Sequence, residues 1–269
     1  MPEATSNSLF DVRPTVIGML HAPPLPGSPG YGGDLAAVRR RVRDDAIALR
    51  DGGVHALLLE NFGDSPFYPG SVPPATIAHM TALAAAVREV FDGPLGINVL
   101  RNDGCSAMAV AHAAGAQFIR VNILTGARVS DQGVIQGIAH DLMRLRRDLG
   151  AQSIAVLADV NVKHSAALAD IPLAQEVADL LHRGGADGLV VSGTGTGEAT
   201  EPAQLQQVAA AAAGAAPVLV GSGVGTGNLA DYRRWADGFI VGSSLKVDGR
   251  VTGPIDPRRV RELMAGLTR

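Results

Sequence analysis

Short apolar runs return eight times along this chain, at Val16–Leu20, Val54–Leu59, Leu95–Leu100, Gln117–Ile123, Ile154–Val160, Gly188–Ser192, Val218–Val220 and Phe239–Val241. Successive run ends lie about 32 residues apart, the size of one βα unit. Alanine-rich stretches with polar faces fill the gaps and read as helices: Leu35–Arg50, Thr76–Val90, Ala107–Ala114, Gly137–Leu149, Leu173–His182 and Gln204–Ala213. Strands that are apolar on both faces belong to a parallel sheet covered by helices. Eight such units close a (β/α)8 barrel. The alternative is an open doubly wound sheet, which normally shows a glycine-rich fingerprint after its first strand. Here the first run ends in His21-Ala22-Pro23-Pro24. The chain therefore reads as α/β, a single (β/α)8 barrel domain over residues 15–269 behind a polar arm at residues 1–14.

Local signals agree with the units. Asp34 is placed to cap the first helix, and Pro202 suits a first helical turn. Gly52-Gly53, Gly115-Ala116 and Gly184-Gly185 sit where helices end, as left-handed C-terminal positions require. Hydrophobic residues make up 46% of the 269, ample for a large core. The net charge of −3 argues against a nucleic-acid or anionic-membrane partner. No apolar run is long enough to span a bilayer, and the N-terminus lacks the basic-then-apolar pattern of a secretory signal. Cys105 is the only cysteine, so no disulfide within the chain and no cysteine metal cluster can form. It is expected to be a buried structural thiol in a cytoplasmic protein.

Active sites of such barrels lie at the C-terminal strand ends. Polar residues cluster at all eight exits and are scarce at the entries. Arg120 shares a strand face with Phe118 and Asn122, and Asp159 shares one with Leu157, Asn161 and Lys163. These mixed faces should point into the barrel. A buried Arg120 needs a partner, and Asp159 or Glu60 would serve, either at the reacting centre or as a structural ion pair. His21, Glu60, Asp159 and Lys163 are the candidate catalytic groups. Lys163 could shuttle protons, clamp an anion, act as a Schiff-base nucleophile or simply be a solvated loop lysine. His164 is a further acid–base type. Asn98, Arg101, Asn102, Arg120, Asn122, Ser192 and Thr194 are candidates to orient substrate oxygens.

The seventh and eighth exits are glycine-rich. Gly221, Ser222 and Gly223, with Gly242, Ser243 and Ser244, stand where barrels often hold a phosphate on backbone N–H groups. Gly225–Asn228 would supply a short helix there. The loop Thr125–Gly137 reads as a lid, and Ser192–Glu198 as either a third anion-facing loop or a lid without catalytic residues. His21, Glu60, Asp159 and His164 are metal-ligand types but contain no close His-x-His pair, so neither a metal nor another cofactor is expected. The expected partner is a small phosphorylated substrate bound by a homo-oligomer.

Several segments together resemble the BtpA/SgcQ family. They are Gly18-Met19-Leu20-His21 with Pro23-Pro24-Leu25-Pro26-Gly27-Ser28-Pro29, Glu60-Asn61-Phe62-Gly63-Asp64, and Asn98-Val99-Leu100-Arg101-Asn102-Asp103. They continue with Phe118–Asn122, Asp131-Gln132-Gly133, Ala158–His164, Gly221–Gly223 and Val241–Lys246. The resemblance implies a phosphate-binding TIM barrel. One branch is associated with photosystem I biogenesis or stability and another with sugar-utilisation operons. The site residues leave four readings: a lyase or isomerase acting on a sugar phosphate or nucleotide-like compound, a phosphoribosyl or glycosyl transferase, a non-catalytic assembly factor, or, least favoured, a metal-dependent hydrolase.

Overall fold

The computed structural model describes residues 9–193, 195 and 198–267. The first half contains β1 (Thr15–His21), α1 (Leu35–Asp51), β2 (Ala56–Glu60), α2 (Pro74–Arg88), β3 (Leu95–Asn98), α3 (Gly104–Ala113) and β4 (Phe118–Val121). Next come β5 (Ala127–Ser130), β6 (Gly133–Gln136), α4 (Ala139–Asp148), β7 (Ala155–Val160), β8 (Ser165–Ala167) and α5 (Leu173–Ala178). The chain ends with β9 (Gly188–Val191), α6 (Pro202–Ala212), β10 (Val218–Val220), α7 (Leu229–Tyr232), β11 (Gly238–Val241) and α8 (Pro257–Leu267).

Eight strands close a barrel in the order β1-β11-β10-β9-β7-β4-β3-β2, and every neighbouring pair is parallel. All eight coincide with the apolar runs. Strand alternation divides their side chains between two cores. Ile17, Met19, Ala56, Leu58, Phe118, Leu157, Val190, Leu219 and Ile240 fill the interior. The outward-facing residues pack under the helices, as Leu20, Leu57 and Leu59 do. The Phe118 ring needs its neighbour to be glycine, because a Cβ on Gly96 would lie 2.1 Å from it.

The helix signals hold. The Asp34 carboxylate accepts from the Ala37 N–H, and Pro202 opens α6. Gly53, Gly115 and Gly185 take positive φ after α1, after α3 and after the π turn (Asp179–Arg183) that extends α5.

Four expectations are corrected. The described end of the arm is not merely polar. Leu9 is buried in the interior cluster with Phe10 against it, and the Thr15 hydroxyl donates to the Leu9 carbonyl at 3.1 Å. These residues sit beside the start of β1, where Arg13 also pairs with Asp237 at 2.7 Å. Residues 1–8 lie outside the described residues. Next, the segment Thr125–Gly137 is not a plain loop: β5 and β6 form a hairpin that β8 extends into an antiparallel sheet. Asn161 breaks the alternation after β7 with φ 49°, and its side chain accepts from Arg128 of the hairpin at 2.7 Å instead of facing the barrel. Finally, Cys105 is half-buried rather than fully buried.

Among the described residues, no helix is long and apolar enough to cross a membrane.

Candidate active site at the C-terminal rim

A cavity of about 610 Å³ opens at the C-terminal ends of the strands. Parallel register builds one wall. His21, Glu60 and Asn98 are consecutive partners across β1, β2 and β3. The Asn98 amide donates to Glu60 Oε2 at 2.6 Å, and His21 Nε2 lies 3.7 Å from Glu60 Oε1. Burial pushes the Glu60 carboxyl above its ordinary value, against the pull of Arg120, Lys163 and the Asn98 hydrogen bond. Burial, and then the charge of Lys246, push His21 down to about 3, so its imidazole is neutral. The Phe62 ring packs on His21 at 4.6 Å between centroids.

The facing wall comes from β4 and β7. Arg120 donates Nε to Asp159 Oδ1 at 2.8 Å and Nη2 to Oδ2 at 2.9 Å. The Asn122 amide adds a third bond to Oδ2 at 2.9 Å. Burial opposes the Arg120 charge, but Asp159 overrides it and holds the guanidinium above its ordinary value. Arg120 and Asn122 line the cavity, while Asp159 is fully buried behind them. The Asn122 Oδ1 atom is buried with no hydrogen-bond partner among the described residues. Lys163 also lines the cavity, and burial and the Arg120 charge lower its pKa to about 8. Arg101 reaches the same space, with Nη2 donating to the Lys163 carbonyl at 2.6 Å.

Gly221, Ser222 and Gly223 after β10, with Gly242 and Ser243 after β11, form the glycine-rich part of the lining. Gly223 has φ 65°, and a Cβ there would lie 2.3 Å from the Glu198 carbonyl. Only glycine fits that position without strain. Ser244 stands just outside, lining a neighbouring hollow and donating to the Val224 carbonyl at 2.6 Å, which ties the two loops together. The short helix begins at Leu229. The Asn228 side chain shapes the preceding loop by accepting from Gly225 N–H and donating to the Gly223 carbonyl.

Asn98 and Asn102 are not in the cavity wall. Asn98 is bonded to Glu60, while the Asn102 amide donates to the Ile123 carbonyl at 2.9 Å and its oxygen accepts from Ile123 N–H. Ser192 is buried away from the cavity, and Thr194 lies outside the described residues.

The structure adds lining residues to which no site role was assigned from the sequence. Phe67, Met19 and Ile240 are apolar, whereas Asp131 and Gln132 arrive from the β5–β6 turn. Only the folding back of the hairpin brings that turn to the rim. Among the described residues, no group of three His, Cys, Asp or Glu side chains is disposed to hold a metal ion.

The BtpA family model matches residues 12–269. The chain is 45% identical over 251 residues to the Photosystem I biogenesis protein BtpA of Synechocystis sp., covering 93% of this chain and 87% of that protein. It is 44% identical to an uncharacterised protein of Thermococcus kodakarensis, covering 95% of both. Among solved structures, KGPDC from Streptococcus mutans superposes with a TM-score of 0.61 at 11% identity, covering 96% of this chain and 99% of that one. Thiamine phosphate pyrophosphorylase from Pyrococcus furiosus gives 0.57 at 13% identity, covering 94% and 95%. The structural likenesses establish a TIM barrel and nothing finer. The sequence likenesses span almost the whole chain, and on them the chain belongs to the BtpA family.

Proposed function

We propose that the chain is an enzyme acting on a small phosphorylated metabolite, a sugar phosphate or nucleotide-like compound, by lyase- or isomerase-type acid–base chemistry. One observation carries this reading. A single cavity joins a glycine-rich backbone cradle to two titratable groups whose proton affinities are shifted toward neutrality, Glu60 and Lys163. The phosphate would rest on the Gly221–Gly223 and Gly242–Ser243 backbone, with Ser244 bracing the cradle. Arg120, Arg101 and Asn122 would bind substrate oxygens. Glu60 and Lys163 would move protons, with neutral His21 as a hydrogen-bonding partner. Asp159 acts as a positioning residue, holding Arg120 and Asn122 toward the ligand. Asn98 does the same for Glu60. The reading includes a cytoplasmic, self-associating protein.

A thermal-shift screen of phosphorylated sugars and nucleotides tests it. A ligand present at a hundred times its Kd stabilises the fold by about 2.7 kcal/mol. The expected hit loses its shift in Gly223→Ala, whose Cβ would crowd the Glu198 carbonyl and the cradle. No shift with any phosphorylated compound overturns the reading.

One observation favours a second reading, a non-catalytic assembly factor. Val129, Val134, Leu168 and Ile171 are exposed on or beside the β5–β6–β8 sheet, and one relative is named as a biogenesis protein. Under that reading, cavity variants keep full biological function, whereas polar substitutions at Val134 and Leu168 abolish it.

A further inference from the structure

Of the chain's 23 lysines and arginines, 21 are arginine, and lysine occurs only at 163 and 246. Every described cation on the surface is therefore an arginine. Both lysines are placed at the rim of the barrel. Lys246 has no exposed surface, and its Nζ donates to the Gly253 carbonyl at 3.3 Å, so no ligand reaches it. Lys163 alone opens into the cavity. A guanidinium stays protonated at any physiological pH, whereas an amine can give up its proton and become a nucleophile. If the cavity needed only a fixed positive charge at this position, arginine would supply it, as it does at Arg101 and Arg120. Lys163 is thus the one amine lining the cavity among the described residues, a cation that can become neutral where Arg101 and Arg120 cannot.

The surroundings support that use. The Lys163 ammonium has no carboxylate within ion-pair distance among the described residues. Burial first, then the Arg120 guanidinium and more weakly Arg101, disfavour its charge and outweigh the opposing pull of Glu60 and Asp159, bringing its pKa to about 8. Glu60, in the same cavity, is biased toward its protonated form. A nucleophilic amine beside a carboxylic acid is what condensation with a carbonyl group requires.

We propose that Lys163 forms an imine with the carbonyl group of a phosphorylated aldehyde or ketone held on the Gly221–Gly223 and Gly242–Ser243 cradle. The inference rests on the phosphorylated-substrate reading and narrows it to carbonyl compounds. The neutral amine attacks the carbonyl carbon, the N–C bond forms, and the carbonyl π pair moves to oxygen, which takes the Glu60 proton. The nitrogen then returns one proton to Glu60. Glu60 delivers it to the hydroxyl, the C–O bond breaks, and one water leaves. The nitrogen lone pair closes a protonated C=N bond, and Glu60 remains as a carboxylate. That carboxylate can take a proton from the carbon next to the iminium, the step that isomerisation or carbon–carbon cleavage needs.

The test is reductive trapping. The protein is incubated separately with dihydroxyacetone phosphate, glyceraldehyde 3-phosphate and ribose 5-phosphate, reduced with borohydride, and mapped by peptide mass spectrometry. Thermal shifts are recorded with the same compounds and with nucleoside monophosphates. The expected result is one adduct per chain on the Lys163 peptide, heavier by the probe less one oxygen atom. Inorganic phosphate should reduce it, and Lys163→Arg should lack it while still melting cooperatively. Peptide mapping of the wild-type protein gives the answer even if that variant fails to fold. A thermal shift with a carbonyl probe but no Lys163 adduct overturns the imine and leaves the phosphorylated-substrate reading intact. A shift with the nucleotides alone does the same. No shift with any phosphorylated compound and no adduct overturns both.

Discussion

Two buried carboxylates stand at the rim of the barrel, separated by β3 and β4, and their surroundings differ. Asp159 on β7 is enclosed by a bidentate Arg120 and by Asn122, which together give its carboxylate three hydrogen bonds. Glu60 on β2 receives one hydrogen bond from Asn98, and desolvation dominates its titration. Asp159 is shut off from the cavity, while Glu60 faces it. The same functional group thus serves as an anchor in one region and is available for proton transfer in the other. Residue type alone cannot make that distinction, because partner number and solvent access decide it.

The largest expected effect comes from removing the anchor. Asp159→Ala leaves Arg120 as an unpaired buried charge, and breaking such a pair costs about 3–5 kcal/mol. Denaturant unfolding should show that loss together with loss of ligand-induced stabilisation. Near-unchanged stability would mean that Asp159 is not an anchor.

Glu60→Gln should do the reverse. It removes proton transfer, lowering turnover of the screened substrate by about 10²–10⁴-fold, and leaves the fold intact. A carboxyl with a raised folded-state pKa favours the native state while protonated, and this contribution is lost as pH rises through the folded value. The glutamine variant should therefore gain stability relative to wild type as pH increases from the ordinary carboxylate range upward. Urea midpoints at a series of pH values check the sign.

Lys163 gives a smaller, pH-resolved effect. Its folded-state pKa of about 8 lies below the ordinary 10.5, so folding releases its proton and stability rises with pH between those values. Activity that needs the neutral amine should climb through a limb near pH 8. Lys163→Arg should remove both the limb and that part of the stability profile.

The smallest change is expected for Asn98→Ala. It deletes the one hydrogen bond that lowers the Glu60 pKa, so the acidic limb of the pH–rate profile should move to higher pH with little loss of maximal rate.

The barrel was legible because each parallel strand is buried on both faces and so reads as an apolar run, as Leu57–Leu59 and Val218–Val220 do. Closure order and register then placed His21, Glu60, Arg120 and Lys163 at the rim as expected. The β5–β6–β8 sheet was not legible. Its strands span only three or four residues and are largely exposed, so they carry no core-facing pattern. That sheet delivers Asp131 and Gln132 to the cavity and draws Asn161 away from it. The distinction between Asp159 and Glu60 was equally hidden, because it depends on Asn122 and Asn98 acting across strands distant in sequence. Asn102 shows the same limit: its position at a strand exit suggested ligand binding, but its side chain is taken up by the Ile123 backbone.

Infrared difference titration of the carboxyl C=O stretch distinguishes the two acids most directly. In wild type, a protonated-carboxyl band should persist above the ordinary carboxylate range. It should lose its Glu60 component in Glu60→Gln, leaving only that of Asp64, whose carboxyl burial also raises, and survive unchanged in Asp159→Asn. A band unchanged in Glu60→Gln and diminished in Asp159→Asn would reverse the roles of anchor and acid, and would contradict the assignment of proton transfer to Glu60.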